Sequence, residues 1–231
     1  MARALGTLGL NILLPLTADG AAASSFPLEQ LLPGAVSALI VGSGGPAFFD
    51  RFARAAEASD GAANPLDRYT RRVVEDALDE ALDPLGPRRA VHFPFGTRPL
   101  IPFQRLGWAA GLGGPGPLGL QIHPTYGAWW AYRALAVVDC ALPASRPPGD
   151  GCAGCDAPCV AACPAAAVAR TGFVVSACQA RRLVAEPCRL SCVARIACVR
   201  GPEHRYSEAE LAFHMAASMP DAGLTARRSV P

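Results

Sequence analysis

Apolar residues follow two rhythms along this chain. "GLNILLPL" (9–16) and "VSALIVG" (36–42) are short apolar runs bounded by turn residues, which predicts buried strands. In "NPLDRYTRRVVEDALDEAL" (64–82), Val73, Val74, Ala77, Leu78, Ala81 and Leu82 recur at helical spacing. The spacing predicts a helix with Asn64 as N-cap and Pro65 at its first position. "RAVHFPFG" (89–96) predicts another strand, and "AGLGGPGPLGL" (110–120) holds too much Gly and Pro for anything but a loop. "LQIHPTYGAWWAYRALAVVD" (120–139) predicts two strands about a turn at Pro124–Gly127. Ser207 and Glu210 form an S-x-x-E capping box before "LAFHMA". "VGSGGPAFFDRF" (41–52) lacks the full dinucleotide fingerprint and reads as a strand–helix turn. The loose alternation gives an α/β or α+β class, and no repeat is visible.

Composition narrows this. With 51% hydrophobic residues over 231 positions, the chain can bury a sizeable core and is not globally disordered. A net charge of +2 gives no footprint for nucleic-acid binding. All 21 basic residues are Arg; with abundant Ala, Gly and Pro this fits a GC-rich genome, so each Gly or Pro weighs less. The longest apolar candidates, around 39–49 and 129–142, are too interrupted to span a bilayer. "MARALGTLGLNILLPLTADGAAASS" has some features of a signal peptide, but Gly9, Asn11 and Pro15 interrupt it. It is read as a first strand, and the chain is expected in the cytoplasm without a membrane association.

The cysteines change the picture most. None precedes Cys140, and eight lie between Cys152 and Cys198. "LPASRPPGDG" (142–151) reads as a linker between the two regimes. The expected organisation is a body over 1–145, a Cys-rich module over 150–200, and a helix and tail over 201–231. Cys152, Cys155, Cys159 and Cys163-Pro164 are spaced C-x2-C-x3-C-x3-C-P, one residue longer than a bacterial ferredoxin loop between the second and third cysteines. The extra residue is expected to bulge outward and leave Cys159 a ligand. Cys178, Cys188, Cys192 and Cys198 supply a second set. Two iron–sulfur clusters are the leading reading from spacing and compartment; zinc or an empty remnant, and disulfides, remain open. Cys140 is expected inside an apolar strand as a small hydrophobe.

"AGLGGPGPLGLQIHPTYGAWWAYRALAVVDCALP" followed by the Cys loop resembles epoxyqueuosine reductases, as does the early "PLEQLLPGAVSALIVG". "HPTYGAWWAYRALAVV" and "RYSE" (205–208) are similar to cobalamin trafficking and processing proteins, and reductive dehalogenases form a third branch. The resemblance implies a nitroreductase-like α+β body that binds cobalamin, with a small C-terminal ferredoxin-like module of two [4Fe–4S] clusters. His123, Pro124, Tyr126, Gly127 and Trp129 would line the cobalamin pocket, and Ala110, Gly111, Leu112 and Gly113 would form the loop beside it. Flavin or glutathione would serve in members without clusters, with Arg205 holding a carboxylate of the thiol cofactor. The chain departs from the reductase pattern where "GGPGPLG" replaces W-x-G-K-N, and in its Cys spacing.

The resemblance implies a reductase in which clusters, fed by an upstream electron donor, pass electrons to a corrinoid that acts on a small molecule. The alternatives are a cobalamin escort, a ferredoxin-like carrier, or a zinc-binding relative. Asp67 lies near the place of a proton-donating Asp in the reductases; the residues themselves favour an exposed first-turn Asp facing the helix dipole. Trp129, Trp130 and Tyr132 read either as a stacking platform or as core. Arg133 reads as a side chain snorkelling at a strand edge.

Overall fold

The computed structural model describes residues 2–18, 20, 26–82, 86–143 and 149–219. Parts of the leader-like segment, of the expected linker (144–148) and of the expected tail (220–231) lie outside the described residues. Helix α1 (Ala2–Thr7) leads into strand β1 (Ile12–Thr17), and β2 (Ser37–Gly44) returns antiparallel beside it. Helices α2 (Ala47–Phe52) and α3 (Pro65–Leu82) follow, then β3 (Arg89–His92) and α4 (Phe103–Ala109). The two-residue strands β4 (Gly114–Pro115) and β5 (Gln121–Ile122) precede the long β6 (Trp130–Val138). The Cys-rich segment holds α5 (Pro158–Ala162), the hairpin β7 (Val168–Ala169) and β8 (Gly172–Phe173), and three short helices. These are α6 (Val175–Val184), α7 (Glu186–Leu190) and α8 (Val193–Ile196); α9 (Glu208–Ala217) closes the described chain.

The main sheet is antiparallel, in the order β1-β2-β6-β3. β2 is central and buried along its whole length, which is why its sequence is continuously small or apolar rather than alternating. β1 is an edge strand, so Pro15, which cannot donate to a ladder, is tolerated there. One sheet face carries Leu39, Val41, Ala134, Ala136 and Val138 against Phe48 and Phe52 of α2 and Tyr69, Val74 and Leu78 of α3. The other carries Ala38, Ile40, Leu135 and Val137 against Ile101, Phe103, Leu106 and Leu112. The result is a mixed α and β fold with its sheet covered on both sides. Among the described residues, no helix is long and apolar enough to cross a membrane.

Local expectations meet two corrections, at Cys140 and at the capping box. Strands flank the turn at Pro124–Gly127, as expected, without pairing with each other. β5 pairs with β4 and β6 enters the main sheet; only a His123–Gly127 bridge, with N–H···O bonds of 2.9 and 2.7 Å, closes the turn. Cys140 lies just past the end of β6, half-buried, where its carbonyl accepts the Ser37 hydroxyl at 2.6 Å. The capping box is half made. Ser207 accepts from the Glu210 N–H at 3.1 Å, but the Glu210 carboxyl turns into the interior instead of back to the cap. Asn64, at φ +52°, accepts the first helical bond of α3 through its carbonyl, from the Arg68 N–H.

Candidate functional site

The nine cysteines are free thiols. Their electrostatic neighbours sort eight of them into two quartets. Cys152 senses Cys155, Cys159 and Cys198, and Cys159 senses Cys155 and Cys198. Cys178 senses Cys192, Cys163 and Cys188. The inner quartet (Cys152, Cys155, Cys159, Cys198) lines a cavity of about 200 Å³ together with Leu118 and Ile122. These groups do not follow the sequence halves: Cys198 lies with the first loop, and Cys163, the cysteine before proline, lies with the later ones. The extra residue is absorbed by Ala157, at φ +56°, which leaves Asp156 exposed and Cys159 buried.

Burial raises the Cys152 thiol to about 11, with Asp150 and the neighbouring thiols adding to it. Burial, reinforced by other thiols, likewise raises Cys159 and Cys178. Thiolates crowded together repel one another, so a cluster of them is favoured only where a cation offsets the charge. Among the described residues, no group of three or more His, Cys, Asp or Glu closes tightly enough to hold a single metal ion.

A second cavity, of about 360 Å³, opens between the start of α3, β6 and α9. Asp67 and Thr70 come from α3, Phe95 from the chain after β3, Tyr132 and Arg133 from β6, and Phe213 and His214 from α9. Arg133 reaches it through a β-bulge. Val41 pairs with Ala134 and Gly42 with Tyr132, so Arg133 is the unpaired extra residue. It does not snorkel at an edge. It is buried, donates to the Ser43 hydroxyl at 2.8 Å and lies 4.5 Å over the Phe48 ring. Asp67 is half-buried at the cavity rather than exposed.

Behind Arg133 sits a buried acid–base pair. Glu210, 1% exposed, is 3.6 Å from His214, and its second carboxyl oxygen has no hydrogen-bond partner among the described residues. Burial raises Glu210 to about 8, against the pull of Arg133 and Arg195, and lowers His214 to about 3, with both arginines adding. The two act on stability with opposite signs. Native Glu210 keeps a proton that the unfolded chain loses above 4.5, so its contribution falls as pH rises from 4.5 to 8. Native His214 stays neutral where the unfolded chain is protonated, so its contribution grows from pH 3 to 6.5. Above 6.5 only Glu210 acts. Chemical denaturation is expected to show stability declining from pH 6.5 to 8, by up to about 1.4 kcal/mol per pH unit. Glu210→Gln should flatten that limb; an unaltered limb would assign it to another group.

β5 touches a residue of each cavity. Ile122 lines the inner thiol cavity, while the adjacent Gln121 accepts from the Tyr132 hydroxyl, and Tyr132 lines the larger one. Opposite facing of neighbours is the ordinary property of a strand. The Gln121 amide also donates to the Leu112 carbonyl, which ties the 110–113 loop to the same point.

The turn singled out by sequence lies elsewhere. His123, Pro124, Tyr126, Gly127 and Trp129 line neither cavity, and neither do Gly111, Gly113 and Arg205. His123 is buried, accepts from the N–H groups of Thr125 and Tyr126, and is lowered to about 4 by burial and then by His204. Trp129 is fully buried, and the Arg195 guanidinium is held between it and Tyr206 at 4.8 and 4.7 Å while donating to the Ala128 carbonyl at 3.0 Å. Arg205 donates to the Ile196 carbonyl at 2.8 Å. Together these contacts fasten the Cys-rich segment to the sheet. Sequence reasoning missed Gln121, Glu210 and His214; the one available signal was a charged residue, Arg133, within the apolar run of β6.

No protein-family model matches the sequence, and neither does any curated protein. Solved structures do match in fold. A selenomethionine-labelled epoxyqueuosine reductase aligns with TM-score 0.59 at 14% identity, over 91% of this chain and 67% of its own. The epoxyqueuosine reductase from Streptococcus thermophilus aligns with TM-score 0.57 at 12% identity, over 86% of this chain and 64% of its own. A C. elegans B12-trafficking protein, CblC, a homologue of human MMACHC, gives TM-score 0.53 at 15% identity, over 88% and 84%. The chain thus has the fold these proteins share, and spans about two thirds of the length of the reductases.

Proposed function

We propose that this fold carries an iron–sulfur redox protein, in which two clusters held by the thiol quartets relay electrons to a B12-type cofactor or its substrate at the cavity beside Arg133. The observation that carries the reading is β5, whose Ile122 lines the inner quartet's cavity while its Gln121 accepts a hydrogen bond from Tyr132, a residue of the larger one. The crossed quartets suit two-cluster ferredoxin logic, where the cysteine before proline serves the other cluster. The nitroreductase-like body and ferredoxin-like module are part of the same reading.

The cavity's aromatic and polar lining suits a large, flat, polar-rimmed ligand, though a corrinoid exceeds its volume and is accommodated only in part. Such a cofactor would supply reductive chemistry at its cobalt. The chain's residues would do the rest. Phe95, Tyr132 and Phe213 exclude water, Arg133 fixes a negative group, and Asp67 is the carboxyl placed to deliver a proton.

The test is anaerobic purification followed by iron, zinc and acid-labile sulfide analysis with absorption spectra before and after adding cobalamin. About eight iron and about eight sulfide per chain are expected, with a cobalamin spectrum that shifts on binding. Zinc in place of iron would sink the redox reading. Cobalamin bound without reductive turnover would turn it into an escort.

A further inference from the structure

We propose that the surface of α6, α7 and α8 docks a small acidic one-electron carrier protein. This rests on the reading that the outer quartet holds a cluster. Eight of the twelve exposed large apolar side chains among the described residues fall between Val174 and Val199. Leu183 and Val184, at the end of α6, are 52% and 79% exposed. Elsewhere the chain behaves otherwise: α3 buries nearly its whole apolar stripe. Single exposed apolar residues are ordinary, but a concentration of them marks an interaction site.

Charge says which partner fits. The three helices carry Arg181, Arg182, Arg189 and Arg195 against one acid, Glu186. Arg182 is committed to the Ser218 carbonyl and Arg195 to Ala128. Arg181 and Arg189 are exposed, and neither makes an ion pair among the described residues. In the sequence they stand within the apolar stretch, Arg181 two residues before Leu183 and Arg189 next to Leu190. A partner matching this surface is apolar at its centre and acidic around it.

Position says what the partner does. Cys178 lies on α6, Cys188 on α7, and Cys192 immediately before α8, all half-buried. A protein seated on these helices is next to the outer quartet, while the inner quartet lies against β5. One electron leaves the carrier's reduced centre and enters the outer cluster, and no bond is made or broken. Electrons thus enter at the outer quartet and leave through the inner one.

The full chain, purified under argon, is titrated with a plant-type [2Fe–2S] ferredoxin as the acidic probe and with cytochrome c as a basic control, using calorimetry. Ferredoxin should bind, and raising salt from about 50 mM to about 500 mM should weaken it at least about tenfold. R181E/R189E should weaken it by a similar factor, and L183S/V184S should weaken it while keeping the salt dependence. Cytochrome c should not bind. Ferredoxin binding that is absent, or indifferent to both double variants, overturns the proposal. So does a dimer in sedimentation that L183S/V184S dissolves, because a second copy then owns the surface. Iron and sulfide measured on the same sample keep the two readings apart. Clusters without binding overturn only the docking. Absence of clusters overturns the reading beneath it, and the titration still decides the surface.

Discussion

On the two-cluster proposal, Cys159→Ala and Cys198→Ala should each cost about half of the iron and acid-labile sulfide the protein binds. Cys163→Ala should cost the other half. The reason is the crossing of the quartets: Cys159 and Cys198 share the inner cavity, while Cys163 neighbours Cys178. Pairing the variants makes the test sharp. Cys159→Ala with Cys198→Ala should lose no more than either alone, because one site is already gone. Cys159→Ala with Cys163→Ala should leave almost none. If the quartets instead followed the halves of the sequence, Cys198→Ala would behave like Cys188→Ala and add to Cys159→Ala. Iron content unchanged in Cys159→Ala would mean that the inserted residue takes that thiol out of its site.

Gly127→Ala is expected to destabilise the fold by about 3 kcal/mol and to lower Tm by about 6–12 °C. Gly127 adopts φ +57°, where an L side chain is strained, and a Cβ there would stand 2.0 Å from the Arg200 carbonyl oxygen. That oxygen belongs to backbone, which cannot swing aside as a side chain can. Gly201 is equally tight from the other side, with a Cβ position 2.4 Å from the Thr125 carbonyl oxygen. The two backbones interlock, so the strain falls on the joint between the sheet and the Cys-rich segment. Limited proteolysis should then cut beyond residue 150 sooner than in the unaltered protein, before the sheet is lost. A variant with unaltered Tm and cleavage pattern would show that the joint is not held at this point.

Much of this was legible beforehand because it depends on local order. The runs around Leu13 and Ile40, the 3.6-residue rhythm of α3 and the Ser207 cap state their structures within a few residues. The turn after His123 also announced itself; it packs against Arg200 and His204 and lines neither of the two cavities described above. A motif shows which residues keep company in sequence; it does not show which side of the turn faces a cavity. The larger cavity was not legible for the same reason. Asp67, Arg133 and His214 come from three separate elements, and a one-residue bulge decides where Arg133 points. Glu210 was read correctly as a helix-start residue, yet burial took its carboxyl away from the cap.

The exchange of Cys163 and Cys198 also bears on how the chain is made. An inner site that draws its last thiol from Cys198 stays incomplete until nearly the whole segment has been synthesised, although three of its four thiols are ready by Cys159. The outer site, beginning at Cys163 and ending at Cys192, can close first. Assembly would therefore run opposite to the order of the cysteines in the sequence. The loop that closes last spans the longest stretch of chain and so removes the most freedom from the unfolded state.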